Sequence, residues 1–274
     1  MMDRTTRRKI AVLERKVFML TALCLVLAIA LGVMTVLYIT KGSGTESGEN
    51  SINQNSPNSS AVSSEPTPEQ KAVMALAEDL DDWNLRLVNA KNPLPNGFTV
   101  STAKIEASYA RDVGMLYDQR AVSYLNQMCA AAEKDGINLL VISSHRTNAR
   151  QTALYNNQVN KQKANHPEMS DDEVKKLAAT ISAYPGTSEH EVGLAVDFNS
   201  VEQSFENTAE FQWLKTHAAE YGFVLRYAKE KQDITGVIYE PWHYRYVGEK
   251  HAKKINELGY CLEEYVNYLK DYTK

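Results

Sequence analysis

The chain has 274 residues, of which 43% are hydrophobic, and its formal net charge is −4. This length is enough for one large or two small domains, and the apolar content is enough for a real core. The small negative charge shows no polybasic signature, which argues against nucleic acid as a partner. No feature of the sequence predicts a protein partner.

The first predicted element is a membrane anchor at residues 17–40, which contain no charged side chain. A helix of this length, rising about 1.5 Å per residue, spans roughly 36 Å and is long enough to cross a bilayer. Residues 1–16 are rich in Arg and Lys, and this asymmetry predicts a cytoplasmic N-terminus and an extracellular remainder. A cleaved signal peptide is the alternative, but the apolar run is longer than a signal core and no A-x-A site follows it. We therefore expect an uncleaved, single-pass anchor in the cell membrane.

A tether and one folded domain follow the predicted anchor. Residues 41–68 are mostly Ser, Asn, Gly, Glu and Pro. Such a segment buries too little apolar surface to offset its ordering entropy, so we expect a flexible, disordered linker. Residues 69–274 remain for the extracytoplasmic domain, and about 200 residues suit one compact domain.

Within this domain, helices and strands mix without a strict βαβ alternation. Ser170 and Glu173 form a capping box, and Gly136 and Gly222 are helix stop signals. Helices are predicted near 68–80, 118–135, 148–162, 170–181, 208–221, 249–258 and 262–271. Strands are predicted at 138–143, 223–227 and 237–247, the last interrupted at Pro241 because proline donates no ladder hydrogen bond. The pattern predicts an α+β fold with a mainly antiparallel central sheet covered by helices.

The three cysteines are Cys24, Cys129 and Cys261. Their spacing makes neither a disulfide framework nor a C-x-x-C metal pair. Cys129 lies in an alanine-rich helical stretch, where a buried small hydrophobe is expected. Pairing of Cys129 with Cys261 is left open, since an exported protein permits disulfides.

Two segments contain the residue types that zinc hydrolases use, SEHEVGLAVD at 188–197 and EPWH at 240–243. Catalytic zinc usually has three protein ligands and one water, and His190, Asp197 and His243 supply such a set. The water also needs a base that is not a ligand, and Glu240 is the candidate. These residues predict a site for one Zn²⁺ ion.

The spacing of these residues is by itself a weak indication. In a straight strand, Glu240 and His243 would face opposite sides of the sheet. A bend after Glu240 would bring them together, and Gly193 would permit an irregular path between His190 and Asp197. Without such irregularities, the same residues are ordinary surface pairs.

The pattern as a whole is more specific. S-x-H-x-x-G-x-A-x-D, with YPGT at 184–187 before it and EPWHYRYVG at 240–248 after it, strongly resembles the VanY-type D-alanyl-D-alanine carboxypeptidases. That family shares its fold with VanX-type dipeptidases, lysostaphin-like endopeptidases and the zinc-bearing domain of hedgehog proteins. The resemblance covers roughly residues 82–248. It implies the hedgehog/DD-peptidase fold, the zinc ligands and base named above, and a peptidoglycan stem peptide ending in D-alanine as substrate.

The resemblance also implies three residues near the substrate. An arginine at a strand end lies over the active site in this family, and here it is Arg146. A fixed guanidinium can hold the scissile carbonyl and stabilise the developing oxyanion, while the alternative is a structural ion pair. Gln151 and Ser188 match family positions that contact the terminal carboxylate or the adjacent backbone. Ser144 and His145 stand where the family usually has Gly and an aromatic residue, which predicts a change in the pocket wall.

Three functions are compatible with this pattern. The first is removal of D-alanine by a D,D-carboxypeptidase. The second is an L,D-carboxypeptidase acting on tetrapeptide stems, which has the same zinc constellation and differs in the pocket beyond the scissile bond. The third is a catalytically silent wall-binding module, against which the complete set of ligands, base and arginine argues.

Overall fold

The computed structural model describes residues 65–273. The predicted anchor at 17–40 and nearly all of the predicted linker at 41–68 lie outside the described residues. Among residues 65–273, no helix is both long enough and apolar enough to span a bilayer. The described chain begins with helix α1, Pro68–Ala77, whose capping box joins Thr67 and Gln70 and whose first residue is proline.

Four antiparallel strands form the central sheet, and a two-stranded hairpin forms a separate sheet. The hairpin pairs β1, Thr102–Lys104, with β2, Leu116–Asp118. The sheet contains β3, β4, β5 and β6 in the order β3-β4-β6-β5; these are Val141–Ser143, Ala195–Phe198, Phe223–Leu225 and His243–Tyr246. All three pairings in the sheet are antiparallel. The predicted α+β fold with an antiparallel sheet is confirmed.

Helices follow the strands closely in sequence. After α1, the α-helices α2 to α9 are Val122–Lys134, Asn148–Asn165, Asp171–Ala179, Glu189–Val192, Ala209–His217, Gln232–Thr235, Glu249–Leu258 and Leu262–Lys270. Short 3-10 turns are Ala107–Tyr109, Gln203–Asn207, Ala218–Tyr221 and Lys229–Lys231. The predicted capping box at Ser170 and Glu173 is present at the start of α4.

Some predicted boundaries were wrong, for local reasons. The helix expected from residue 118 begins at Val122, because Asp118 ends β2 and its carboxylate accepts from the Arg120 backbone and guanidinium. Of the strand expected at 237–247, only His243–Tyr246 forms a strand, β6, because the chain turns at Pro241 before β6 begins. The helix expected at 208–221 changes to a 3-10 turn at Ala218.

Gly222 ends that turn, and both its conformation and its surroundings require glycine. Its φ of +84° is one that L side chains rarely adopt. A Cβ there would lie 2.8 Å from Tyr246 Cε2 and 2.9 Å from the carbonyl carbon of Gly248. The close approach sets β5 beside β6, the strand that carries His243.

The apolar core has two parts. One joins α2 and α6 to the sheet and includes Leu125, Met128, Val196, Phe198 and Leu214. The other joins α1, α8 and α9 to β5 and includes Val73, Val224, Ile255, Tyr265 and Leu269. The terminal helices α1 and α9 therefore belong to the same packed unit as the sheet.

Cys129 and Cys261 are both buried free cysteines, so the possible disulfide between them is not formed. Cys129 belongs to the core part around α2. Burial raises the pKa of its thiol to about 12. The expectation that Cys129 is a buried small hydrophobe is confirmed.

Candidate metal centre and active site

Sheet register brings the chemistry-bearing residues into one row. Ser143 on β3 is paired with Asp197 on β4, and Asp197 is paired with His243 on β6. His190 comes from the short helix α5, and Gly193, with φ of +76°, ends that helix before β4 begins. One ligand atom from each of His190, Asp197 and His243 lies within 4.8 Å of the other two. All three side chains are buried.

The hydrogen bonds of His190 determine which ring nitrogen faces this cluster. Its Nδ1 lies 2.8 Å from the backbone carbonyl of Ser144. A carbonyl only accepts, so Nδ1 carries the proton and Nε2 has a free lone pair. Nε2 lies 3.3 Å from Asp197 Oδ2, which aims that lone pair into the cluster. The bond from Nδ1–H to the Ser144 carbonyl is the kind of second contact that histidine ligands of metals commonly make.

His243 faces the cluster through its other nitrogen. Nδ1 lies 3.1 Å from Asp197 Oδ1 and 3.4 Å from Glu240 Oε2. Glu240 reaches this place because Pro241 and Trp242 form a tight turn, closed by the His243 amide donating to the Glu240 carbonyl at 3.2 Å. The bend expected after Glu240 is therefore present, and it places that carboxylate beside the three candidate ligands.

The groups of this cluster shift one another's pKa. Burial lowers the pKa of His190 to about 4, and the Arg146 guanidinium adds to the effect. Burial opposes charge on His243, yet the nearby carboxylates of Asp197, Glu189 and Glu240 outweigh it and raise its pKa to about 9. Burial also opposes ionisation of Asp197, but the two imidazoles hold its pKa well below the usual value. Burial raises the pKa of Glu240 to about 8, against the opposing effect of His243.

The donor set fits a zinc ion. Two imidazole nitrogens and one carboxylate are ligands typical of catalytic zinc, which keeps a further position for water or substrate. Asp197 Oδ1 is buried and has no hydrogen-bond partner among residues 65–273, so a cation would satisfy it. The carboxylates around His243 raise its pKa because they favour a positive charge on the ring. A metal ion supplies that positive charge in place of the ring proton when it binds.

Arg146 lies at the edge of the cluster and is held from three sides. Its Nη2 donates to Asp197 Oδ2 at 3.0 Å and to Ser143 Oγ at 2.7 Å, and its Nη1 donates to Gln151 Oε1 at 3.2 Å. The side chain is about one-fifth exposed. Arg146 thus makes the structural ion pair considered as an alternative, and it also faces solvent beside the candidate ligands.

Gln151 and Ser188, for which we predicted substrate contact, are both nearly inaccessible. Gln151 is fully buried; its amide donates to the Ala183 carbonyl at 2.7 Å, and its oxygen accepts from Arg146. Ser188 is 4% exposed and precedes α5 without capping it through its side chain. In this structure Gln151 orients Arg146, and substrate contact by either residue stays a prediction.

A groove of about 810 Å³ opens beside Arg146. The loop 93–100 forms one wall, and His145, Asn148, Gly186 and Glu191 contribute to the rest. Arg146 borders both this groove and the metal cluster. The groove therefore meets the cluster at Arg146.

Comparison with known proteins identifies the family. Residues 115–249 match the family model described as VanY, D-alanyl-D-alanine carboxypeptidase. A D-alanyl-D-alanine carboxypeptidase of Enterococcus faecalis is 38% identical over 202 residues, which are 73% of this chain and 72% of the relative. The chain belongs to the VanY family of D-alanyl-D-alanine carboxypeptidases. It is therefore a carboxypeptidase by family.

Solved VanY structures have the same fold. VanYB in complex with D-alanine-D-alanine is 39% identical, with a TM-score of 0.60, covering 68% of this chain and 98% of that one. A variant of the D,D-pentapeptidase VanY from a VanB-type resistance cassette, in complex with Zn(II), is 38% identical, with a TM-score of 0.59 and coverages of 68% and 99%. The LD-carboxypeptidase LdcB also matches, at 34% identity, a TM-score of 0.59 and coverages of 66% and 84%.

The VanY motif identified the candidate ligands, but not the residues that hold them. Ser143, whose Oγ accepts from the Arg146 guanidinium, was not among the predicted site residues. Ser144, whose carbonyl orients His190, was predicted only as a change in the pocket wall. Glu189, next to His190 in the motif, is fully buried beneath His243. Spacing gave no signal for these contacts, because each depends on which way a side chain or carbonyl turns in the folded chain.

Proposed function

We propose that this VanY-family chain is a zinc-dependent D-alanyl-D-alanine carboxypeptidase that removes the terminal D-alanine from peptidoglycan stem peptides outside the cell. The observation that carries the proposal is the buried cluster of His190, Asp197 and His243, with Glu240 3.4 Å from His243. The related structures with Zn(II) and with D-alanine-D-alanine support the choice of metal and substrate.

The chain's own residues have distinct tasks in this reaction. Zinc held by His190, Asp197 and His243 would lower the pKa of water and polarise the scissile carbonyl. Glu240 accepts the proton of the attacking water and later delivers it to the leaving nitrogen of D-alanine. Arg146 donates to the scissile carbonyl oxygen and stabilises the negative charge that develops there.

Replacing Arg146 by Lys should reduce kcat about 10²-fold while zinc remains bound. Lysine keeps the positive charge but lacks the planar fork that bridges Ser143, Asp197 and the substrate oxygen. Steady-state release of D-alanine and the zinc content of the purified protein measure the two effects. The matched control is Arg150→Lys, because Arg150 is an exposed arginine on α3, the helix that begins just after Arg146. Arg146→Lys at more than half the parent kcat would contradict this role.

The D,D assignment is tested with pentapeptide and tetrapeptide stems. We expect the full chain with zinc to release D-alanine from the pentapeptide alone, with Glu240→Ala as the inactive control. Release from the tetrapeptide alone would move the chain to the L,D class, to which LdcB belongs. Release from neither, with zinc bound, would refute the substrate and revive the silent wall-binding alternative.

We further propose that residues 17–40 anchor the enzyme in the cell membrane and that residues 41–68 tether it there. The support is the uncharged apolar run, the preceding basic residues and the polar composition of the linker. A tethered enzyme meets a nearby immobile polymer at a high effective concentration. Fractionation of cells expressing the full chain tests this, and recovery in the soluble fraction would refute it.

A further inference from the structure

A second cluster of charged residues lies directly beneath the candidate metal centre. It consists of Glu189 on α5, Arg226 after β5, Arg245 on β6 and Glu263 on α9, and we name it the Glu189 network. Each member is at most 8% exposed. Buried charges are costly unless they are paired, so the contacts of this network indicate what holds each member in place.

The two oxygens of the Glu189 carboxylate have different surroundings. Oε1 accepts from Arg226 Nε at 2.7 Å and lies 2.9 Å from Arg245 Nη1. Oε2 has no hydrogen-bond partner among the described residues and lies 3.9 Å from His243 Nε2. That nitrogen is also buried and likewise lacks a hydrogen-bond partner within 65–273. Two unpartnered buried groups of complementary type therefore face each other.

The tautomer of His243 connects this pair to the metal centre. Nδ1 faces Asp197 and Glu240, so it is the nitrogen available to a metal ion. A metal-binding imidazole nitrogen must be unprotonated, which leaves the proton of the neutral ring on Nε2. The carboxylate beside that nitrogen is Glu189, whose Oε2 lies 3.9 Å from Nε2. Metal-bound histidines commonly donate their second N–H to such a group.

We propose that Glu189 is a positioning residue that accepts the Nε2–H of His243 and keeps Nδ1 directed at the metal, an inference that rests on the proposed zinc site. The rest of the network holds Glu189 in place. Arg226 donates to both oxygens of Glu263, at 2.8 and 2.7 Å. Arg245 Nη2 donates to the carbonyls of Asn84 and Arg86, at 3.0 and 2.9 Å.

The residues that Arg226 and Arg245 contact here, namely Glu263, Asn84 and Arg86, lie outside residues 115–249, the segment that matches the VanY family model. Glu263 is on the last helix and also accepts from Asn89 at 3.0 Å. The segment before β1 and helix α9 therefore support a metal ligand that neither of them contains. The competing interpretation is that these buried ion pairs serve only the stability of the fold.

Zinc affinity of the folded full chain separates the two interpretations. Glu189→Gln removes the charge, whereas Glu189→Asp keeps a charge for both arginines and withdraws the carboxylate from His243 by one methylene. We expect each variant to raise the zinc Kd by about 10- to 100-fold, measured by competition with a chromophoric chelator. Urea unfolding of the metal-free proteins shows whether each variant is folded. Glu191→Gln is the control. Glu191 is a buried glutamate on the same helix, and its carboxylate accepts from the Asn148 side chain and the Gly186 amide. This variant should keep the parent Kd.

The outcomes distinguish this inference from the proposed function. If the parent binds zinc and both folded Glu189 variants bind it within twofold of the parent Kd, the positioning role is wrong and the zinc site stands. If the parent binds no zinc, the proposed function fails as well. If Glu189→Gln does not fold, Glu189→Asp decides; if neither variant folds, Glu189 belongs to the fold rather than to the metal.

Discussion

Glu240→Gln should lower kcat for D-alanine release by about 10²- to 10⁴-fold, which corresponds to about 3 to 5 kcal/mol of transition-state stabilisation. Glutamine has the same shape but does not take a proton from the attacking water. Glu240 lies 3.4 Å from His243 and is not one of the three clustered ligands. Zinc content should therefore remain at the parent level. Turnover kinetics and elemental analysis of the same sample measure both quantities.

The control for this prediction is Glu230→Gln, which makes the same change at an exposed position. It should retain the parent kcat and the parent zinc content. Glu240→Ala should behave like Glu240→Gln, because both remove the base. A Glu240→Gln variant that keeps most of its activity would overturn the role of Glu240. One that loses zinc as well as activity would assign Glu240 to the metal instead.

His190→Ala should remove zinc and turnover together. Structural zinc sites with four ligands bind with about 10 to 16 kcal/mol, so one ligand contributes on the order of 3 kcal/mol, roughly a hundredfold in affinity. His190 is also the ligand whose orientation is fixed by the Ser144 carbonyl. We expect little zinc after dialysis and no measurable D-alanine release, since the remaining ligands are Asp197 and His243.

His166→Ala is the matched control, because His166 lies at the surface and pairs only loosely with Glu168, at 3.5 Å. It should retain zinc and activity. Restored turnover of His190→Ala at high zinc concentration would agree with a weakened site. Retention of one equivalent of zinc by His190→Ala after dialysis would contradict the ligand assignment.

Local signals in the sequence predicted much of the fold. The capping box at Ser170, the glycine stop at Gly222 and the two C-terminal helices all lie where expected. These features depend on neighbours within a few residues. The hairpin of β1 and β2 was missed because strands of three residues show no usable alternation. Strand β4 was missed because it has only four residues and is buried on both faces, so apolar residues do not alternate with exposed polar ones.

The candidate site was predictable as a set of residues but not as an arrangement. The motif named His190, Asp197, His243 and Glu240, and the structure brings them together. The Glu189 network joins residues that lie 37 positions apart at each step, from Glu189 to Arg226 and from Arg226 to Glu263. No periodicity relates such positions, because their contact depends on where the folded chain places α5, the end of β5 and α9.

The central claim is that this VanY-family enzyme depends on zinc at His190, Asp197 and His243. The most direct test measures D-alanine release from a pentapeptide stem by the full chain as isolated, after chelation and dialysis, and after return of one equivalent of zinc. We predict activity in the first sample, none in the metal-free sample, and recovery in the third. Undiminished release by protein shown to be metal-free by elemental analysis would contradict the account.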